Sequence, residues 1–552
     1  MLGVRSGRRG SRGTGPLRTV GLLLSFGLTA SCAADPEGSA TTDEPAPPPE
    51  LPTGSGMPAD DTVAPDVKVD PTAGASGASI VRRLTIEEYT YTVLDVFGVT
   101  LDPLQLSLLP PDIRADGFSN LANTQTSFPQ HASGFGQLAQ SVLGAMDFPS
   151  FLAVHAPCME ETTACRSAFV ESAGKLTFRR PLDEQEVQDF TLLFDALASR
   201  GDAFTAGASG VLSAMLQSPQ FLYRLERETA GANGLRGIGS YEMATRLSYM
   251  FWSSAPDAAL YADAQAGLLD TAEGVSSAAQ RLLQDPVKAR RASARFVRDW
   301  MGLDNISEQP LREEMIGAAL AFFDQHVWTE AAPLLNALTS PKVMLTPALA
   351  EPYGATPAGQ GLQAYDARQL PGRLGLLGQP AVQAAMDRSG SGSMIGRGLF
   401  MMRRVFCSPV KLDPPEALRS AIEEFVSSAP KDASPRLLAD QRLSRDACLG
   451  CHGAFEPLAF AFEPFTSRGA FRLTDAAGNA LKTDGWIPAA VSGQAQDVPY
   501  KNLEEYAAAL VALPVVEECL TRSFMRFAAG RNLELQEEAA VRPLFEAVRA
   551  EG

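Results

Sequence analysis

The sequence is poor in basic residues. Lysine and arginine number 47 against 64 aspartates and glutamates, so the formal net charge is −17 at pH 7. Nucleic-acid binding needs clustered lysine and arginine to neutralise phosphates, and adhesion to an anionic membrane surface needs the same. The charge therefore argues against both classes of partner. The 552 residues, 45% of them hydrophobic, are nevertheless enough to form several buried cores.

Signatures of common enzyme classes are also missing. The sequence contains no Gly-x-Ser-x-Gly nucleophile elbow, no phosphate-binding loop and no helix with paired histidines for a metal. It has only four histidines and no repeat at the spacing of solenoid proteins. The sequence therefore gives no support to a serine hydrolase, a P-loop nucleotidase or a zinc protease.

Residues 1–32 have the features of a bacterial export signal. Several arginines precede a short apolar run at residues 20–29, and small residues lead to Cys32. The run is too short to span a membrane as a mature helix. We expect cleavage before Cys32 and lipidation of its thiol; the alternative is an ordinary cleaved signal that happens to contain a cysteine. Residues 33–76 are rich in proline, glycine and small polar residues, so they are predicted to form a disordered tether.

The apolar periodicity from residue 80 onward predicts a mainly α fold. Apolar residues within positions 84–97 recur along one side of a helix, with Thr85 as the expected N-cap and Gly98 as the end. Further helices are predicted over the following ranges: 183–197, 206–216, 241–252, 278–300 in two stretches, 313–339 and 503–550.

The strongest motif is CLGCH at residues 448–452. The thiols of Cys448 and Cys451 are spaced to add to the two vinyl groups of one haem, and His452 would then be the proximal iron ligand. A redox Cys-x-x-Cys would require a surrounding βαβ pattern, which is missing. Half of a zinc site would require further ligands nearby, yet the other three histidines lie far away in sequence. We therefore expect one covalently attached haem c.

The sixth iron ligand stays open. A methionine or a second histidine there would make the iron an electron carrier, whereas an open position would permit peroxide or oxygen chemistry. Met525 is one candidate, although it is equally a core residue of a helix over residues 519–529. Met401, Met402 and His326 are the other candidates.

The remaining cysteines can form two disulfides. If Cys32 is lipidated and haem occupies two thiols, four cysteines are left, and export makes their pairing permissible. Cys158 and Cys165 would close a short loop. Cys407 and Cys519 would then join the region of the haem motif to the C-terminal helix.

The chain is predicted to divide into consecutive segments. Residues 471–474 and 480–483 flank a turn that contains Gly478, which indicates a small β-hairpin after the motif. The expected segments are an N-terminal helical segment (77–150), a helical segment with the first disulfide loop (151–230), a central helical segment (231–365), a cytochrome-c-like haem segment with the hairpin (366–495) and a C-terminal helical segment (496–552).

Several motifs resemble successive parts of one uncharacterised secreted family of domains of unknown function. The motifs occur in the family's order and are RLTIEEY (83–89), FRRPL (178–182), SPQFLYR (218–224), YEMATRLSY (241–249), EPLAFAFE (456–463) and CLTR (519–522). In that order they resemble the domains of unknown function numbered fifteen-eighty-seven, fifteen-ninety-five, fifteen-ninety-two, fifteen-eighty-eight and fifteen-eighty-five. FRRPL and SPQFLYR both belong to the domain numbered fifteen-ninety-five. The family usually has aspartate where this chain has Glu456, and an aromatic residue where it has Met525.

The resemblance implies a secreted protein that carries haem c, but it implies no substrate. Our first hypothesis is a mono-haem lipoprotein at the cell envelope that transfers one electron to or from an extracytoplasmic partner protein. The second is a haem-dependent oxidase or peroxidase acting on an extracellular substrate. The third is a binding or assembly lipoprotein with a structural haem.

Overall fold

A computed structural model shows how these patterns fold. It describes residues 81–547 except 159, 161, 199–202, 227, 231–235, 308, 371, 388–391, 410–415, 431–432, 476–477 and 534–540. The predicted export signal, Cys32 and the tether lie outside the described residues.

The first helix begins and ends where the sequence predicts. Thr85 Oγ1 accepts the backbone N–H of Glu88 at 3.1 Å, and the Glu88 carboxylate accepts the backbone N–H of Thr85 at 3.0 Å. Gly98 ends the helix in the left-handed conformation, with φ of 68°. Both signals are local in sequence, which is why they could be recognised without the fold.

The first part of the chain is a group of helices closed by two paired strands. Its elements are β1 (Arg82–Arg83), α1 (Ile86–Phe97), α2 (Pro103–Leu106), α3 (Pro129–Ala145), α4 (Phe148–His155), α5 (Thr163–Phe178), α6 (Glu184–Leu197), α7 (Ala203–Gln217), α8 (Pro219–Leu222) and β2 (Tyr223–Arg224). β1 and β2 pair antiparallel. Buried aromatic side chains such as Tyr89, Phe169 and Phe221 fill a core of their own.

The middle part carries two short antiparallel sheets and longer helices. Its elements are β3 (Glu228–Ala230), β4 (Arg236–Ile238), α9 (Ser240–Phe251), α10 (Ala258–Gln265), α11 (Ala272–Leu283), α12 (Lys288–Trp300), α13 (Arg312–Asp324), β5 (Lys342–Leu345), α14 (Pro347–Ala350) and β6 (Gln363–Asp366). The predicted helix over 313–339 is interrupted, since α13 passes into a π-helical turn, Gln325–Thr329, and then a 3₁₀ turn, Leu334–Leu338.

The last part contains the CLGCH motif. Its elements are α15 (Pro380–Met386), α16 (Met394–Arg404), α17 (Arg419–Ser428), α18 (Pro435–Leu443), α19 (Asp446–His452), a 3₁₀ helix (Glu456–Phe462), β7 (Gly485–Ile487), α20 (Ala489–Ser492), β8 (Val498–Tyr500), α21 (Leu503–Ala512) and α22 (Pro514–Ala529). Met401 and Phe462 lie in the same core as Trp300 and Phe322, so this part shares its core with the middle part.

Two disulfides tie this fold together. Cys158 and Cys165 close a short loop before α5, with Cα atoms 5.3 Å apart. Cys407 and Cys519 join the end of α16 to α22 across a sequence separation of 112, with Cα atoms 5.2 Å apart. Both pairings are those expected from the sequence.

The mainly helical fold class is confirmed, and the predicted hairpin is present as a turn with an isolated bridge rather than as two regular strands. Residues 471–483 do fold back, with a hydrogen bond from the Asp475 N–H to the Asn479 carbonyl and an isolated bridge between Thr474 and Ala480. The regular strand pair lies further on, where β7 pairs with β8. Among the described residues, no helix has the length and apolar character needed to cross a membrane.

Candidate haem site

Helix α19 carries both thiols and the histidine of the motif. It begins directly after Arg445, and His452 is its last residue. Cys448 is buried, whereas Cys451 is exposed, and both are free thiols. One turn of a helix therefore presents two unpaired thiols, one toward the protein interior and one toward solvent.

The His452 ring is backed by a carboxylate. His452 Nδ1 lies 3.4 Å from Glu456 Oε2, and the ring contacts Phe455 with centroids 5.2 Å apart. Nδ1 is buried and makes no hydrogen bond of good geometry, so Glu456 is the acceptor that faces it. Nε2 has no hydrogen-bond partner among the residues that the structure describes. This leaves Nε2 as the nitrogen available to a metal.

Glu456 is held in turn by Arg442 of α18. Arg442 Nε donates to Glu456 Oε1 at 2.9 Å and to Oε2 at 3.1 Å, and Nη2 also donates to Oε1. Glu456 is completely buried, and Arg442 is 9% exposed. Charged hydrogen-bond partners of this kind offset much of the cost of burying a carboxylate. The pair therefore fixes α18, α19 and the 3₁₀ helix relative to one another.

Helix α16 supports the other side of the 3₁₀ helix. Arg397 is completely buried, and its two terminal nitrogens donate to the carbonyls of Phe462 and Phe465, each at 2.5 Å. Burial lowers the pKa of Arg397 to about 10, partly offset by Asp387 and Glu463. Gly398 packs so closely that a Cβ there would collide with the Phe455 carbonyl. Phe455 is thereby held beside His452.

Glu463 lies at the far end of the same 3₁₀ helix. It is 1% exposed, and neither carboxylate oxygen has a hydrogen-bond partner within the described part of the chain. Burial raises the pKa of Glu463 to about 7, although Arg472, with Nη2 at 3.5 Å, and Arg397 oppose the shift. This carboxylate therefore changes its charge near neutral pH.

The alternative interpretations of the motif find no supporting partners. Within the described ranges no three histidine, cysteine, aspartate or glutamate side chains cluster for a metal ion. The other histidines are engaged elsewhere: His131 with the Phe128 N–H at 3.1 Å, His155 with Ser172 Oγ at 3.0 Å and His326 with the Pro333 carbonyl at 3.0 Å. All sheets in the part of the chain that is described are antiparallel pairs, unlike a βαβ redox fold.

The candidates for the sixth ligand lie on elements other than the helix that carries His452. Met525 is on α22, which packs against α9, α12 and α21, whereas α19 packs against α18. Met401 and Met402 are buried core residues of α16. His326 is buried on the π-helical turn. The sixth ligand therefore stays a prediction.

The residues present fit a c-type haem. Two free thiols lie on one helical turn, and the adjoining imidazole has its Nδ1 directed at a buried carboxylate. A ligating histidine usually places its second nitrogen on such an acceptor, which sets the tautomer and the ring orientation. Cys448, Cys451 and His452 would hold the group, and Glu456 and Arg442 would orient the histidine.

Fold and site together define a mainly helical protein with a candidate Cys-x-x-Cys-His centre. Four family models match in order: PSD3, protein of unknown function DUF1587, at residues 82–147; PSD5, DUF1595, at 165–226; PSD4, DUF1592, at 238–355; and PSCyt3, DUF1588, at 373–475. The chain therefore contains four consecutive segments that match these domains of unknown function. The PSCyt name implies a cytochrome-c-like character for the segment that contains His452.

Comparisons beyond the family models find nothing similar, since neither a curated protein nor a solved structure matches the chain. The fifth resemblance, of residues 519–531, stays a prediction.

The sequence did not reveal the residues around the histidine. Glu456 and Glu463 stood out only as parts of a family motif, and neither they nor Arg442 and Arg397 had a predicted role. One local signal existed, because Glu456 follows His452 at the i,i+4 spacing. The pairing of Glu456 with Arg442 depends on the turn between α18 and α19, which no periodicity reveals.

Proposed function

We propose that this protein is an exported, lipid-anchored, mono-haem c-type cytochrome that transfers one electron to or from an extracytoplasmic partner protein. One observation supports this most: the imidazole after two free thiols has its Nδ1 against a buried carboxylate, and its Nε2 has no hydrogen-bond partner among the described residues. The names of the matching family models point in the same direction.

Each residue of the site has a separate task in this proposal. Cys448 and Cys451 form the two thioether links, and His452 binds through Nε2. Bound haem c supplies a one-electron couple between ferric and ferrous iron. Glu456 and Arg442 hold the imidazole, and Arg397 and Gly398 hold the backbone that follows it.

The exposed edge of α19 is where a partner would approach. Cys451 is exposed, and Leu449 beside it is 46% exposed. Apolar contact at an exposed haem edge brings two redox centres close without burying a large area, which suits transient electron transfer. The predicted lipid on Cys32 would keep the protein at the cell envelope, where such a partner works.

Optical spectra of the purified protein test the proposal. The full chain is produced in a bacterial host with cytochrome c maturation machinery, with a Cys448→Ser/Cys451→Ser variant as the matched control. We expect a reducible, low-spin haem spectrum for the parent that carbon monoxide does not change, and no covalent haem for the variant. A haem-free parent protein would contradict the proposal.

A second candidate is a haem-dependent oxidase or peroxidase. Glu456 is the observation that favours it, because a carboxylate behind the histidine makes the imidazole a stronger donor to iron. In that case the same spectra would be high-spin and would change on addition of carbon monoxide or peroxide.

A further inference from the structure

The acceptor that faces His452 Nδ1 is a charged group in a dry environment. Glu456 is completely buried, and its Oε2 is the nearest acceptor to the nitrogen at 3.4 Å. Electrostatic interactions strengthen as the surroundings lose water. A full carboxylate at this place therefore acts on the imidazole more strongly than a backbone carbonyl would.

We propose that Glu456, held by Arg442, is a positioning residue that lowers the reduction potential of the haem bound at His452. The inference rests on the proposed function and deepens it. A carboxylate 3.4 Å from Nδ1 increases the electron density of the imidazole electrostatically, and a stronger donor stabilises ferric iron more than ferrous iron.

Arg442 weakens the electrostatic effect of Glu456 on the His452 ring and also holds the carboxylate in place. Its Nε lies 2.9 Å from Oε1 and 3.1 Å from Oε2, so the guanidinium holds the carboxylate in one orientation while neutralising part of its charge. The Phe425 ring of α17 covers Arg442, with the guanidinium carbon 5.4 Å from the ring centroid. Arg442 is thereby kept away from water and on Glu456.

The direction of electron flow follows from a lowered potential. A centre whose oxidised form is stabilised gives up its electron readily. The chain is therefore suited to donate an electron to a partner of higher potential, and its own electron must come from a still stronger reductant.

The midpoint potential of the full, haem-loaded protein tests the inference. Glu456→Gln removes the charge but keeps the shape, so we expect its potential to rise. The expected change is about tenfold in the ratio of reduced to oxidised protein at a fixed ambient potential, which is about 59 mV for one electron. Glu456→Asp keeps a carboxylate and should remain closer to the parent.

Glu463→Gln is the matched control, since it removes a buried carboxylate from the other end of the same 3₁₀ helix. The measurement is made at pH 6, where Glu463 is mostly protonated already because its pKa is about 7. We expect its potential to equal that of the parent. Equal potentials in the Glu456→Gln variant and the parent, or equal shifts in the Glu456→Gln and Glu463→Gln variants, would overturn the inference.

A second variant covers the case in which Glu456→Gln takes up no haem. Arg442→Lys keeps the positive charge but loses the two-point contact, so more negative charge remains on the oxygens that face His452. Its potential should fall, and a rise would overturn the inference. Failure of the proposed function is distinguishable, because the parent itself would then carry no haem.

Discussion

The two buried glutamates at the ends of the 3₁₀ helix Glu456–Phe462 differ in their hydrogen-bond partners. At the first end, Glu456 is completely buried and receives hydrogen bonds from Arg442 while facing His452. At the second end, Glu463 is 1% exposed, yet neither of its carboxylate oxygens has a hydrogen bond to any residue that the structure describes. The two residues flank one apolar run but have different electrostatic surroundings.

The difference indicates which end is constrained for function. The end beside His452 is fixed by charged contacts that set the position of a ring, and we expect it to be rigid. At the other end Arg472 approaches the Glu463 carboxylate only at 3.5 Å, and burial raises the pKa of Glu463 to about 7. The Glu463 end should therefore respond to pH near neutrality.

The largest expected effect is the loss of Arg442. Arg442→Ala leaves Glu456 buried without its counter-charge, and breaking a buried ion pair in this way costs about 3–5 kcal/mol. Arg472→Ala at the other end should cost about 1 kcal/mol or less, because Arg472 is 31% exposed and approaches Glu463 only at 3.5 Å. Denaturant unfolding of both variants measures the difference. Equal losses of unfolding free energy in the two variants would show that Arg442 and Arg472 contribute alike to stability, which would contradict the comparison.

The second largest expected effect is the dependence of the unfolding free energy on pH that Glu463 causes. Its pKa is higher in the folded protein (about 7) than the ordinary value of 4.5, so the folded state binds the proton more tightly. Its contribution to stability is full below pH 4.5, is lost as the pH rises to 7 and is constant above that. The loss is about 3 kcal/mol. Glu463→Gln should remove it, so that the variant gains stability relative to the parent between pH 4.5 and 8.

Unfolding free energies at pH 4.5, 6 and 8 check this prediction. A constant difference between the parent and Glu463→Gln across the three values would mean that Glu463 does not titrate in this range.

The smallest expected effect on stability concerns the packing of α16 against the Phe455 backbone, which follows α19. Gly398→Ala forces a Cβ into the Phe455 carbonyl, and overpacking of this kind costs about 1–3 kcal/mol. Gly450 of α19 is the matched control, since an added Cβ there meets nothing within 4 Å. Gly450→Ala should be neutral or stabilise by up to about 1 kcal/mol, because alanine favours helix. Thermal unfolding that gave the two variants the same change would contradict the packing.

Local signals made part of the fold predictable from sequence. The cap at Thr85 and the glycine at Gly98 define α1 without reference to the rest of the chain. The cysteine spacing also identified the candidate site, because both thiols and His452 lie within one helical turn.

Non-local contacts explain what the sequence did not reveal. The turn near Gly478 is real, but Leu473 beside it is 68% exposed, and the described residues there form an isolated bridge rather than a regular strand pair. The strands pair instead where Ile487 is buried and the Tyr500 hydroxyl donates to the Pro457 carbonyl, a contact from across the fold. The environment of Glu463 likewise depends on Arg397 and Arg472, which come from separate parts of the chain.

The mass of one peptide tests the central claim most directly. Trypsin cleavage after Arg445 and Arg468 releases residues 446–468, which contain both thiols and His452. We predict that this peptide, from the mature protein of a host that attaches haem, has the added mass of one haem and loses it in the Cys448→Ser/Cys451→Ser variant. An unmodified peptide from the parent protein would contradict the proposed cytochrome.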